Sequence, residues 1–330
     1  MTRAPWIVGV SGASGTPYAA AVLRALLDAA QPVDLVVSRA ARLTLLDETG
    51  RPFRDAHWKD DLSALTAMAR GPHRVSWGDL ALITVAMVGA RTFAMAANRI
   101  IDRRIDARNP RTAGRELVTG VVSVRNAWAG AIVALAVFLG AAALLNPLCL
   151  ALSPLAVLPL IVYPYGKRFT NWPHAILALA QMVAPVGAWL AMTGTFRGSF
   201  PAWVLGAAVG LWIGGFDLIY ACQDAAVDRD IGVHSIPARY GVRFALVASA
   251  MAHAVTFGLF VWFGVLVGLG WPWWIGLALT AVAFAYEHAI VTPSDLSRVN
   301  RAFFTANGFV GIVLFGFALV DLVVRGGLRP

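Results

Sequence analysis

The chain has 330 residues, 58% of them hydrophobic and 14% charged, with a mean hydropathy of +0.68, a balance that excludes an ordinary soluble enzyme and indicates a polytopic membrane protein. Its net charge of +9 would suggest nucleic acid in a soluble protein, but here the arginines collect in loops between apolar runs, so a lipid bilayer and no nucleic acid is expected. The two cysteines, Cys149 and Cys222, lie in or beside apolar runs without partner spacing, which excludes a disulfide framework and a cysteine zinc site.

Residues 1–77 form a separate stretch with a soluble-type mixture of charges and no apolar run longer than a strand. The pattern predicts a strand at 6–10, a turn at 12–15, a helix at 17–29 and a second strand at 33–38. Charges and glycines stand where a signal peptide would have its apolar core, so no cleaved leader is expected. A strand, a glycine turn and a helix direct backbone N–H groups at a point where phosphate can bind, although a plain tight turn has the same appearance. The run Val-Gly-Val-Ser-Gly-Ala-Ser-Gly-Thr-Pro-Tyr at 8–18, with Val-Val-Ser-Arg-Ala-Ala at 36–41, resembles the start of the flavin prenyltransferases of the UbiX/Pad type. That resemblance implies flavin and flavin-phosphate contacts at Ser14 and Ser38. It ends after about fifty residues, leaving a truncated α/β, Rossmann-like fragment of two parallel strands with open edges and little core, so FMN binding is not expected.

From Gly78 onward the apolar runs predict eight transmembrane helices, at 78–101, 126–146, 148–166, 174–194, 202–221, 244–268, 271–291 and 302–324, within an all-α domain spanning 78–330. Arg103, Arg104, Arg108, Arg111, Arg115 and Arg125 follow the first span, Lys167 and Arg168 the third, Arg229, Arg239 and Arg243 the fifth, and Arg298 and Arg301 the seventh. The intervening connections carry little beyond Arg197. By the positive-inside rule the arginine-bearing loops are cytoplasmic and the protein is a multi-pass component of the cell's inner (plasma) membrane. This parity would oblige the basic head to cross the membrane, a conflict that one additional span ahead of residue 78 would remove. Tryptophans clustered at 271–274 read as an aromatic belt at the outer face.

Two acidic clusters stand where apolar runs end. Asn98, Asp102 and Asp106 fall at i, i+4 and i+8 and share one helix face; Asp224 and Asp228 repeat the spacing, with Asp217 two turns earlier. Acids at membrane depth are costly unless paired or metal-bound, which makes them functional candidates. Their hard oxygens suit Mg²⁺ with a phosphate co-ligand. Arg115, Lys167 and Arg168 are placed to hold diphosphate oxygens, and the apolar interior accepts a long lipid-like chain. The set describes ionisation of an allylic diphosphate and attack by an electron-rich ring. The plainer reading makes these acids solvated loop residues paired with nearby arginines. Asp217 and Asp230 read equally as structural, Tyr163 and Tyr220 as site-lining or interfacial, His234 as a phosphate contact or a cap, and His253 and His288 as packed or interfacial.

The motif Asn98-x-x-x-Asp102-x-x-x-Asp106, the loop Tyr-Pro-Tyr-Gly-Lys-Arg-Phe-Thr at 163–170, and Asp224 with Asp228 after Tyr-Ala-Cys-Gln make residues 78–324 resemble the UbiA superfamily of intramembrane aromatic prenyltransferases. The resemblance implies Mg²⁺ on Asn98, Asp102, Asp106, Asp224 and Asp228, a polyprenyl diphosphate donor and an aromatic acid acceptor. It also implies nine helices, of which the first is absent here. Segments 90–95, 109–117 and 232–241 look most like the branch serving menaquinone synthesis by the futalosine route, whose acceptor resembles a dihydroxynaphthoate; the ubiquinone-type acceptor, 4-hydroxybenzoate, stands as the alternative. Two other classes remain open: an ion-coupled transporter, which would carry its charges in the middle of spans, and an impaired fusion remnant lacking the first helix, which would insert poorly. No motif sets the prenyl chain length.

Overall fold

β-branched residues dominate two short runs near the N-terminus, and these become β1 (Trp6–Val10) and β2 (Val33–Val37), joined through helix α1 (Thr16–Asp28). A computed structural model describes residues 4–11, 16–50, 52–68 and 77–325. The strands pair in parallel, Trp6 opposite Val33 through Val10 opposite Val37, and make a sheet of two. Helix α2 (Arg39–Thr49) starts where the Ser38 hydroxyl accepts from the Ala41 amide at 3.0 Å and ends at Gly50, whose φ of 69° suits a residue without Cβ. Helix α3 (Trp58–Met68) closes this head, whose core is Ala20, Leu23, Leu45 and Leu65. Ser38 therefore serves as a helix cap; Ser14 and the turn at 12–15 lie outside the described residues. The head, Met1–Ser76, and the remainder, Trp77–Pro330, are two compact units.

Among its described residues the second unit is built of helices and the loops that join them. In order it comprises α4 (Trp77–Asp106), the single turn α5 (Glu116–Thr119), α6 (Val124–Leu145), α7 (Pro147–Gly166), α8 (Pro173–Thr193), α9 (Phe200–Ala221), the short α10 (Ala225–Ile231) and α11 (Ile236–Tyr240), then α12 (Val242–Val267), α13 (Trp271–Ile290), a π-helical turn at Arg301–Ala306, and α14 (Asn307–Val324). Among the described residues eight of these helices are long and apolar enough to span a membrane, at the positions expected from hydropathy within a few residues. Their outward faces carry bare hydrophobic side chains, Leu144 and Ile312 each 74% exposed, as lipid contact requires. Ser123 caps α6 and Asn146 caps α7; the Asn146 amide also reaches the Leu190 carbonyl at 2.9 Å, tying the start of α7 to the end of α8.

Helix α4 is 30 residues long, which at about 1.5 Å per residue exceeds the roughly 30 Å hydrocarbon thickness. Its last turns, with Asp102 and Asp106, thus extend beyond the length that a span needs while staying helical. Helices α8 and α9 touch backbone to backbone along glycines of α9: a Cβ on Gly206 would lie 2.7 Å from the Met182 carbonyl, and one on Gly210 would strike the Ala178 carbonyl. Gly206→Leu is expected to cost about 1–3 kcal/mol by prising this pair apart, read as a lower midpoint of thermal unfolding in detergent; an unchanged midpoint would refute the close packing.

The tryptophan cluster is only partly a belt. Trp271 and Trp274 are 61% and 37% exposed, but Trp273 is buried at 3% and packs on Phe260 and Phe263. Positions 271 and 274 share a helix face, whereas 273 lies nearly opposite. His253 and His288 are packed, as one of the two sequence readings has it: their rings share a hydrogen bond of 3.0 Å beside Glu287, which Asn307 caps at 2.9 Å.

Candidate active site

The first acidic motif ends α4, and the chain then turns back over it. Asp102 is 1% exposed and Asp106 6%, so neither is a solvated loop acid. Lys167, in the connection between α7 and α8, places Nζ 2.7 Å from Asp102 Oδ2, and Arg168 approaches the other oxygen at 3.5 Å while bonding the Ile101 carbonyl at 2.6 Å. Arg115 folds back from the loop after α4 and puts Nη1 on both Asp106 oxygens, at 2.6 and 2.7 Å. Asn98 stands one turn below Asp102 on the same helix, half-buried.

The second motif lies where α9 gives way to a 3₁₀ turn, Cys222–Asp224, and then to α10, ended by Gly232 with a φ of 72°. Asn109 donates to Asp224 Oδ1 at 2.8 Å, and Arg111 grips both Asp224 oxygens and gives a third bond, 2.8 Å, to the Tyr220 hydroxyl. The Asp224 carboxylate raises the Arg111 guanidinium above its already high pKa. Asp228, 9% exposed, accepts from the Ser235 hydroxyl at 2.9 Å. The motifs are thus joined through one loop: residues 109 and 111, following the first, hold an acid of the second.

Deeper along α9, Asp217 accepts from His174 Nδ1 at 2.7 Å and from the Tyr163 hydroxyl at 3.4 Å. Lys167 in turn lies 5.9 Å over the Tyr163 ring. Tyr163 and Tyr220 both point their hydroxyls at this polar group. His234 is exposed; it bonds Asn171 at 2.9 Å, and its amide donates to the Lys167 carbonyl, which fixes the Lys167 loop against the second motif. Asp230 is exposed at the far side of α10.

Sequence reasoning passed over Asn109, Arg111, His174, Asn171 and Ser235 as site residues. Asn109 and Arg111 belong to the 109–117 segment and carried the signal. His174 had none, because nothing in its spacing relates it to Asp217, 43 positions away. As metal donors the carboxylates are a partial set: among the described residues no group of three or more His, Cys, Asp or Glu side chains gathers tightly enough to hold an ion. Hard oxygens from two helix ends, each already satisfied by a removable cation or hydroxyl, suit Mg²⁺, which is commonly held by one or two carboxylates plus phosphate oxygens and water.

Residues 62–309 match the model of the UbiA prenyltransferase family. The chain is 34% identical over 242 residues to 4-hydroxybenzoate octaprenyltransferase of Nitrosococcus oceani, covering 72% of this chain and 83% of that protein. A solved apo structure of a UbiA homologue from Aeropyrum pernix K1 superposes with a TM-score of 0.71 at 37% identity, over 76% of this chain and 92% of that one. The head matches elsewhere: 58 residues, 18% of this chain, are 84% identical to flavin prenyltransferase UbiX of Streptomyces coelicolor but span only 27% of that protein's length.

Proposed function

This chain belongs to the UbiA prenyltransferase family, and from that membership and its two facing acidic motifs we propose that it performs the Mg²⁺-dependent transfer of a polyprenyl group from polyprenyl diphosphate to the ring of a hydroxylated aromatic carboxylate. The observation that carries the reading is the clasp of Asn109 and Arg111 on Asp224, 115 and 113 positions away, which draws both motifs to one mouth of the bundle.

Asp102, Asp106, Asp224 and Asp228, with Asn98, would hold the ion, which when bound neutralises the diphosphate and makes it a better leaving group. Lys167, Arg115 and Arg111 hold Asp102, Asp106 and Asp224 here. Each has a side chain long enough to turn its charge onto a diphosphate oxygen without leaving the site, the guanidiniums as forks and the ammonium as a point charge. Arg168 adds a further positive charge, anchored to Ile101. The apolar walls of the bundle below would take the prenyl chain and keep water from the allylic cation. The ring then attacks without a covalent enzyme intermediate. For the acceptor, 4-hydroxybenzoate has the support of the curated relative's activity, and a dihydroxynaphthoate that of the flanking segments; both are phenols bearing a carboxylate. The arginine distribution supports placing this mouth at the cytoplasmic face of the plasma membrane.

The test is prenyl transfer in isolated membranes, offering a polyprenyl diphosphate with each acceptor in turn. Product that disappears on chelation and returns with Mg²⁺ is the expected result, and the acceptor consumed is thereby named. Well-inserted protein that forms no product with either acceptor overturns the reading and favours an impaired remnant.

A further inference from the structure

The Arg111 guanidinium is held in two different ways at once. Its Nε and Nη2 form the fork that grips the Asp224 carboxylate, while its Nη1 donates to the Tyr220 hydroxyl at 2.8 Å and its central carbon lies 4.9 Å over the Tyr220 ring. The Tyr220 ring rests in turn against Phe303, with centroids 4.2 Å apart, and Phe303 meets Phe216 edge-on at 5.1 Å. Trp212, Phe216 and Tyr220 recur at every fourth residue and so share one stripe of α9. Phe303 belongs to the π-helical turn that precedes α14, and turns of this kind are frequent at functional sites. The turn is pinned to the same stripe one step deeper: the Asn307 side chain donates to the Ala302 carbonyl, five residues back, at 3.1 Å and accepts from the Trp212 indole at 2.7 Å. Buried Ala302 and Ala306 keep the turn small where it packs.

This arrangement separates what can be given up from what stays. If the Asp224 carboxylate goes to an ion, the Nε–Nη2 edge is released, yet the Tyr220 hydroxyl and ring still hold the rest of the guanidinium. An edge so held has the fork shape that two diphosphate oxygens accept. The side chains of Arg111 and Asp224 are 32% and 15% exposed, so a ligand arriving at the mouth can reach both. We propose that Tyr220, backed by Phe303, is the positioning residue that keeps Arg111 at the mouth, on Asp224 in the ligand-free protein and on the donor's diphosphate once the carboxylate has taken its ion. The inference rests on the prenyl-transfer reading and adds Phe303 and its π-helical turn to the residues that serve the donor. An arginine on a loop without that hold would have to be ordered anew each time diphosphate binds, which weakens binding.

The test measures binding by the purified full chain in detergent, with two probes: Mn²⁺ alone, followed by EPR, and inorganic diphosphate titrated calorimetrically at fixed Mg²⁺. Arg111→Gln is expected to bind diphosphate about 10–100-fold more weakly, yet to bind Mn²⁺ alone at least as tightly as wild type, because Asp224 has lost its competing cation. Phe303→Leu should lose about 3–10-fold for diphosphate with no loss for Mn²⁺ alone. Tyr220→Phe, which keeps the ring and removes the hydroxyl, should lose about as much, and Phe303→Tyr, which keeps the ring, should bind as wild type does. Phe303→Leu added to Arg111→Gln should cost nothing further, since its effect runs through the arginine. A merely structural ring would weaken both probes together and add its loss to that of Arg111→Gln. Phe303→Leu with wild-type affinity for diphosphate, or with a loss that adds in full to that of Arg111→Gln, overturns the positioning role and leaves prenyl transfer standing wherever wild-type membranes form product. Wild-type membranes that form none overturn the reading on which the inference rests.

Discussion

Membranes carrying Asp102→Ala or Asp228→Ala are expected to form prenylated product at least ~10²–10³-fold more slowly than wild type, the scale on which losing one preorganised electrostatic contact to a developing charge is felt. Asp102 comes from the end of α4 and Asp228 from α10, so the two variants remove hard oxygen donors from opposite sides of the mouth. Equal collapse of both is what a shared ion demands. Unfolding is a poor rival explanation for Asp102→Ala, because the cation it releases can reach water: the Lys167 side chain is 28% exposed and Arg168 37%. Asp102→Asn keeps the shape and loses the charge, and should fail as badly. Either alanine variant retaining a tenth of wild-type product would sink the assignment of these carboxylates.

The opposite substitution has the opposite signature. Lys167→Met leaves Asp102, 1% exposed, with only the distant Arg168 contact at 3.5 Å. Removing one partner of a buried ion pair costs about 3–5 kcal/mol because the remaining charge is stranded, and Arg168 should bring the loss to the lower end. Lys167→Met is thus expected to melt well below both wild type and Asp102→Ala in detergent. Added Mg²⁺ with a diphosphate should raise its midpoint more than it raises that of wild type, since the ligands supply positive charge that the wild type already has. Asp102→Ala melting below Lys167→Met would show that the pair is not organised around a buried carboxylate.

Read from the chain alone, the eight spans, the small strand-helix-strand head and the placing of Asp102, Asp106, Asp224 and Asp228 at helix ends were all legible, because hydropathy runs and helical periodicity are local properties that a few consecutive residues settle. Ser123 and Asn146 announce their helices in the same local way. The identity of each acid's partner was not legible. Asn109 and Arg111 meet Asp224 only because the loop after α4 folds across the end of α9, and His174 meets Asp217 only because α8 lies against α9, where Gly206 and Gly210 let the backbones touch. Trp273 separates from its neighbours Trp271 and Trp274 for a related reason: whether the third tryptophan faces lipid or Phe260 depends on which side of α13 meets another helix. The sequence by itself determined what crosses the membrane and where its acids stand; the tertiary structure decided which cation, hydroxyl or imidazole answers each one, since that depends on helix packing between residues tens of positions apart, which no local spacing encodes.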